Sequence, residues 1–234
     1  MARALVVRHH ADAGAGFVGE RLAELGYELA TTDLGDGAPS GTAVLPAPGP
    51  ADVAVVLGAS WSANDVDDPA AGVERWLRPE LDWVAGLVAA DVPVLGVCFG
   101  AQVVARAAGG TVTAMGRTQL GWWEIAGDAS VGLPGGRWAQ FHGDTVSAVP
   151  PGARVLTTDS FGTQAFLLGR TLAVQFHPEA SAATLSAWAT APASAAEVAA
   201  TCVDLHAMAA DGRGVQDDAR TRCHALVDAW LALR

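Results

Sequence analysis

The chain has 234 residues and no lysine; all fourteen of its basic residues are arginine. That absence excludes a class of chemistry. This chain cannot form a lysine Schiff base, a pyridoxal phosphate lysine or a lysine-bearing phosphate loop. Cysteine is scarce as well. The three cysteines lie far apart, at 98, 202 and 223, with no C-x-x-C pair. A disulfide scaffold or a cysteine-rich zinc site is not expected, and a reducing cytoplasm is the natural setting. Asn64, Ile125 and Tyr27 are each the sole residue of their type. This bias points to GC-rich coding rather than to function.

Long hydrophobic runs are also missing. After Met1 the first apolar stretch is only Ala4 to Val7, and Arg8-His9-His10 follow it, so no secretory signal is expected. The most apolar region, 81–100, carries Asp82, Asp91 and Pro93. It reads as helix end, turn and strand rather than as a membrane span. Net charge is −11. Such an acidic balance argues against nucleic acid or an anionic membrane as a general partner.

An apolar share of 51% and a charged share of 17% describe a compact soluble protein able to bury a full core. The opening reads β-α-β. Ala4–Arg8 is a strand, 16–26 a helix of period near 3.6 closed by Gly26, and Tyr27–Thr31 a second strand. Residues 33–50 are rich in Gly, Pro, Asp and Ser and read as a loop. Asp52–Leu57 is a third strand, ending in Gly58-Ala59-Ser60. Residues 61–72 read as a polar surface loop, and Val73–Ala90 as a long amphipathic helix.

Beyond residue 110 the pattern becomes short strand candidates at 111–115, 121–126, 137–142, 154–158, 164–168 and 171–176. Some are expected to add antiparallel strands to the sheet. The stretch 183–234 reads as helices, broken near Ala191-Pro192 and again at Asp211-Gly212-Arg213-Gly214. One domain over 1–234 is the economical reading, with its core at about 3–185. The fold class is α/β, an open and mostly parallel sheet flanked by helices.

The chain is organised around 92–109, V-P-V-L-G-V-C-F-G-A-Q-V-V-A-R-A-A-G. A buried strand turns sharply at Gly96-Val97-Cys98-Phe99-Gly100 and becomes a helix. A G-x-C-x-G step between strand and helix is the cysteine form of a nucleophile elbow. It presents the sulfur at the carboxyl end of a strand, beside a helix N-terminus that favours the thiolate. Further on, Leu172 to Phe176 is a strand that runs into His177-Pro178-Glu179. Pro178 biases His177 to an extended backbone, and residues two apart then share a side. A Glu179 carboxylate beside His177 can hold one ring nitrogen protonated and leave the other as a base. Cys98, His177 and Glu179 thus supply a nucleophile, a base and an orienter.

G-V-C-F-G-A-Q at 96–102 and Q-F-H-P-E at 175–179 resemble the motifs of the triad-type, class I glutamine amidotransferases. The resemblance is strongest to the glutaminase domain of GMP synthases. L-G-A-S at 57–60, L-G-W-W-E-I at 120–125 and F-H-G-D-T-V at 141–146 add weaker matches, and together they cover about 3–185. The resemblance implies a flavodoxin-like fold and no metal or organic cofactor. Cys98 would be the nucleophile, His177 the acid/base and Glu179 its orienter. Backbone N–H groups of Gly58 and Phe99 would form the oxyanion hole. Gln102 would sit at the glutamine pocket, with His142 and Asp144 as candidates for substrate or loop contacts. Ala59 departs from the second glycine that many members carry, which puts the approach to the oxyanion loop in question.

Three functions follow. The first is a glutaminase acting on L-glutamine. The segment 186–234 is too short for a synthetase domain and has no S-G-G-x-D-S loop, so the ammonia acceptor is expected to be a separate polypeptide, or none. The second is a γ-glutamyl hydrolase acting on γ-glutamyl amines or peptides. The third is a non-catalytic binding protein of the same fold, against which the intact Cys-His-Glu set argues. His9 and His10 end the first strand, which could bring one of them toward the site, but a structural role is the favoured expectation for both. Cys202, Cys223, His206 and His224 are expected to be core or surface residues of the C-terminal helices, and the eight tryptophans to serve packing.

Overall fold

A strand buried on both faces of a sheet has to be apolar at successive positions. Ala, Val and Leu fill the short runs β1 (Arg3–Arg8), β3 (Val53–Val56) and β4 (Val94–Val97), and this burial is what their sequence anticipates. The structure is a computed structural model and describes residues 2–35 and 44–233. Residues 36–43 of the loop expected over 33–50 therefore lie outside the described residues.

The main sheet has the order β2-β1-β3-β4-β9-β8-β7. Here β2 is Glu28–Asp33, β7 Arg154–Asp159, β8 Gly162–Leu168 and β9 Thr171–Val174. The strands from β2 through β9 pair in parallel, and β8 and β7 are the expected antiparallel additions. Helices α1 (Gly16–Glu24) and α2 (Glu74–Ala89) connect parallel strands, and α3 (Phe99–Ala107) follows β4. The period-two alternation of the strands sorts their side chains into two cores. Leu5, Val7, Ala54 and Val56 pack with Leu77, Val84 and Leu87 of α2 and with Val103 and Val104 of α3. Ala4, Val6, Val53 and Val55 pack on the other face with Val18 and Leu22 of α1.

Three expectations need correction. The candidates at 111–115 and 121–126 are one strand, β5 (Thr111–Ile125), which pairs with β6 (Gly136–Ala148) as a separate two-stranded sheet. Gly116 and Gly121 take positive φ, and the register shifts between Ala114 and Gln119. The strand therefore bulges where the sequence suggests it ends. Residues 61–72 are not a plain surface loop. They form 3-10 turns at Ala63–Asp67 and Pro69–Ala71, with Ala63 and Val66 buried.

The third correction concerns the C-terminal helices, α4 (Ala182–Thr190), α5 (Ala195–Thr201) and α6 (Leu205–Leu231). The interruption at Ala191-Pro192 is present, but α6 runs unbroken through Asp211-Gly212-Arg213-Gly214. Packing overrides propensity there. A Cβ at Gly212 would lie 2.6 Å from Trp122 Nε1, so glycine lets the helix approach β5. Asp211 also pairs with Arg137 of β6. The break falls instead at Cys202, in a left-handed conformation, and Asp204 then caps α6 by accepting from the His206 and Ala207 N–H groups.

Candidate active site

Val97 ends β4 and Cys98 makes the turn with φ 52° and ψ −109°. A non-glycine residue there costs on the order of 1–3 kcal/mol and persists only where its surroundings hold it. Cys98 N–H donates to the Val174 carbonyl at 2.8 Å, and Ala101 and Gln102 N–H donate back to the Cys98 carbonyl at 3.0 and 3.2 Å. The flanking glycines are a packing requirement. A Cβ at Gly100 would overlap the Val56 carbonyl, and one at Gly96 would lie 2.8 Å from the Gly100 carbonyl oxygen. The sulfur is left at the head of α3, 3.8 Å from the Phe141 carbonyl oxygen.

In the neighbouring strand, the chain leaves β9 and brings His177 to the same place. His177 N–H donates to the Ala139 carbonyl at 2.8 Å, and Phe17 N–H donates to the Glu179 carbonyl at 3.1 Å. His177 Nδ1 lies 2.8 Å from Glu179 Oε1, with both side chains buried. Among the described residues His177 Nε2 meets no hydrogen-bond partner, so it stays available to a reacting group. Burial opposes a charged imidazole here. The Glu179 carboxylate and the Cys98 sulfur outweigh it and hold the His177 pKa well above its ordinary value. The Trp188 ring sits 4.9 Å from the imidazole, centroid to centroid.

Gly58 lies against both. A Cβ there would come within 2.9 Å of His177 Cε1 and 3.6 Å of Cys98 Cβ. Phe99 opens α3, and the first N–H groups of a helix have no carbonyl of their own helix to meet. Cys98, His177, Glu179, Gly58, Gln102, His142 and Asp144 all line one cleft of about 390 Å³. Gln102 is held by its amide, 3.4 Å from Gln175 Oε1. His142 is buried between the Asp144 carbonyl and Gln119, and burial lowers its pKa to about 4 despite the Asp144 carbonyl. Asp144 accepts from the Ser62 hydroxyl.

Several cleft residues escaped the sequence. Trp188, Ala191, Ser194 and Glu197 form one wall, and Trp61 and Asp12 also line the cleft. Helix periodicity placed 188–197 only as a helix and its end; nothing in that period says what the helix faces. His10, one of the two histidines that the end of β1 could bring toward the site, lines the cleft beside Ser60, against the structural role favoured for it. The other cysteines behave as expected. Cys223 is buried in the core, where desolvation raises its thiol pKa, and Cys202 is exposed. Among the described residues, Glu20, Glu24 and His224 bring three possible ligand atoms within 4.8 Å, and none of the three lines the cleft. Arg220 and Arg21 already occupy those carboxylates.

Residues 67–187 match the family model of glutamine amidotransferase class-I. The chain belongs to this family. Among curated proteins, the chain is 45% identical over 102 residues to a glutamine-hydrolysing GMP synthase of a Parafrankia strain. That match covers 40% of this chain and 19% of the relative. It is 38% identical over 96 residues to the same enzyme of Mycolicibacterium paratuberculosis, covering 38% and 18%. The chain thus matches about a fifth of the length of these relatives. Two solved structures share its fold along nearly all their length. One is a glutamine amidotransferase from Thermotoga maritima, with TM-score 0.81, 22% identity, and coverage of 99% of this chain and 98% of the other. The other is a glutamine amido transferase from Methylobacillus flagellatus, with TM-score 0.83, 23% identity, and coverage of 99% and 95%. The mostly parallel sheet flanked by helices is the architecture of the family. Among the described residues no helix is long and apolar enough to cross a membrane.

Proposed function

We propose that this protein is a cytoplasmic glutaminase that hydrolyses L-glutamine to glutamate and ammonia, without a metal or organic cofactor, and passes the ammonia to a separate acceptor enzyme. One observation carries the reading. A cysteine on a strained elbow faces a buried His–Glu pair beside a glycine whose added Cβ would press within 2.9 Å of the His177 ring. The Cys98 thiolate attacks the side-chain carboxamide carbon of glutamine. Gly58 and Phe99 N–H groups receive the developing oxyanion, each worth roughly 3–4 kcal/mol in the transition state. His177 gives its proton to the departing nitrogen; the C–N bond breaks, and ammonia leaves a γ-glutamyl thioester on Cys98. His177 then takes a proton from water, the hydroxide adds to the thioester, and the C–S bond breaks to release glutamate. Glu179 keeps the imidazole oriented through Nδ1. Gln102, His142 and Asp144 shape the pocket for the rest of the substrate.

The size of the cleft favours a second reading. Its wall of Trp188, Ala191, Ser194 and Glu197 leaves room beyond the carboxamide, which suits a γ-glutamyl amine or peptide handled by the same triad. Glutamate release from L-glutamine and from a γ-glutamyl peptide, with Cys98→Ser beside each, tests both. Turnover of glutamine that disappears in the variant supports the first. Preference for the peptide supports the second. Turnover retained in Cys98→Ser would remove both.

A further inference from the structure

His9 and Glu80 are fully buried, and neither lines the cleft. His9 follows β1 and Glu80 sits in the middle of α2. His9 Nε2 lies 3.0 and 3.1 Å from the two Glu80 carboxylate oxygens. A buried ionisable pair is weak evidence for stability, since apolar residues of the same volume would serve as well or better. What the pair touches is more informative. On the far side of the ring, His9 Nδ1 lies 3.3 Å from the Gly58 carbonyl oxygen. A carbonyl only accepts, so Nδ1 carries the proton and donates. Whether Nε2 or Glu80 holds the second proton, their contact leaves Nδ1–H directed at Gly58.

The oxyanion loop is therefore held on both sides of Gly58 N–H. Leu57 N–H donates to the Val7 carbonyl at 3.0 Å, and His9 pins the Gly58 carbonyl from the same strand end. The His9 ring also packs edge-on against Phe99, centroids 4.9 Å apart, with Trp76 behind it at 5.4 Å. One side chain thus contacts both residues assigned as oxyanion donors.

We propose that His9 and Glu80 form a positioning pair that aims Gly58 N–H, and through ring packing Phe99 N–H, at the oxyanion. This rests on the reading of those two groups as oxyanion donors. His9 touches no substrate and acts through Gly58.

Two substitutions divide the ring in half. The amide nitrogen of His9→Asn falls near the Nδ1 position and keeps a donor for Gly58; that of His9→Gln falls near Nε2 and keeps a partner for Glu80. Loss of one oxyanion donor typically costs roughly 10²–10³ in kcat. A donor left misaimed in His9→Gln should cost about 10–100-fold, with KM changed less than about threefold. His9→Asn should keep kcat within about tenfold of the parent. Stability should run the other way, with His9→Asn melting lower because Glu80 is left without a partner. Amide hydrogen exchange over 57–61 should be faster in His9→Gln than in His9→Asn, and this reports on the loop whether or not the protein turns over glutamine. If kcat and stability instead fall together, with His9→Gln the milder in both, the pair is merely structural and the proposal is overturned. Unchanged exchange in both variants overturns it too. A parent enzyme without glutaminase activity whose exchange still follows the expected order would count against the glutaminase reading, not against the hold of His9 on Gly58.

Discussion

A single methyl group at position 58 would reach the reacting centre. Because the added Cβ lies 2.9 Å from His177 Cε1, Gly58→Ala must push the imidazole or the oxyanion loop aside. We expect kcat to fall about 10²-fold or more while the thermal melt moves little, since the neighbour is one ring at the cleft and not the core. A steady-state glutaminase assay beside a melting curve checks both halves. His177 carries a second prediction. Burial opposes its charge in the folded protein, but Glu179 and Cys98 outweigh burial and raise its pKa. A raised folded pKa contributes stability fully below the unfolded value of about 6.5, and that contribution is lost as pH rises through the folded pKa. The stability gap between the parent and His177→Gln should therefore be wider at pH 6 than at pH 9.5. Urea midpoints at the two pH values measure it, and a gap that widened with pH would contradict the charged pair.

Within one element, two glycines of α6 make a controlled comparison. Helix propensity alone gains about 1 kcal/mol for either Gly→Ala change. Gly214 has open space around it, so Gly214→Ala should stabilise by roughly 0.5–1 kcal/mol. A Cβ at Gly212 would meet Trp122 Nε1 at 2.6 Å and Ala182 Cβ at 3.0 Å, and Gly212→Ala should destabilise despite the same propensity gain. Denaturant midpoints of the two variants should move in opposite directions. Gly100→Ala in the elbow should be worse than either, because the added Cβ meets the backbone of β3 and not a movable side chain. Its loss of stability is expected to exceed about 3 kcal/mol, beyond the usual range for a single substitution.

For the whole molecule, the family match ends at 187, but the packing does not. Cys223, Leu226, Val227 and Trp230 of α6 share a buried cluster with Val18, Leu22, Leu172 and Phe176. Each buried aliphatic contributes roughly 1.5–3 kcal/mol, against a net stability of about 5–15 kcal/mol for a typical domain. Residues 1–187 alone should therefore lack fixed tertiary structure, as a flat near-ultraviolet circular dichroism spectrum would show. A cooperative melt of that fragment close to the parent's would mean that α6 is an appendage. We expect one unfolding transition for the full chain, in keeping with a single domain over 1–234.

Much of this was legible in the sequence, for local physical reasons. Buried parallel strands leave continuous apolar runs, and the elbow needs glycines on either side of Cys98. The His-Pro-Glu step anticipated the 2.8 Å contact between His177 and Glu179, but not the backbone that makes it. In place of the extended run expected there, Pro178 and Glu179 form a turn, with Ala180 N–H donating to the His177 carbonyl at 3.4 Å. Those features depend only on neighbours in the chain. The rest depends on partners far away in it. Gly212 reads as a helix breaker until Trp122 is beside it, and Gly116 as a strand end until β6 supplies the pairing that carries β5 past it. His9 meets Glu80 across 71 residues and Gly58 across 49, separations that no periodicity records. The residues that do the proposed chemistry were thus written in local motifs, whereas the cleft wall and the buried pair that steadies the oxyanion loop were decided only when the sheet brought distant segments together.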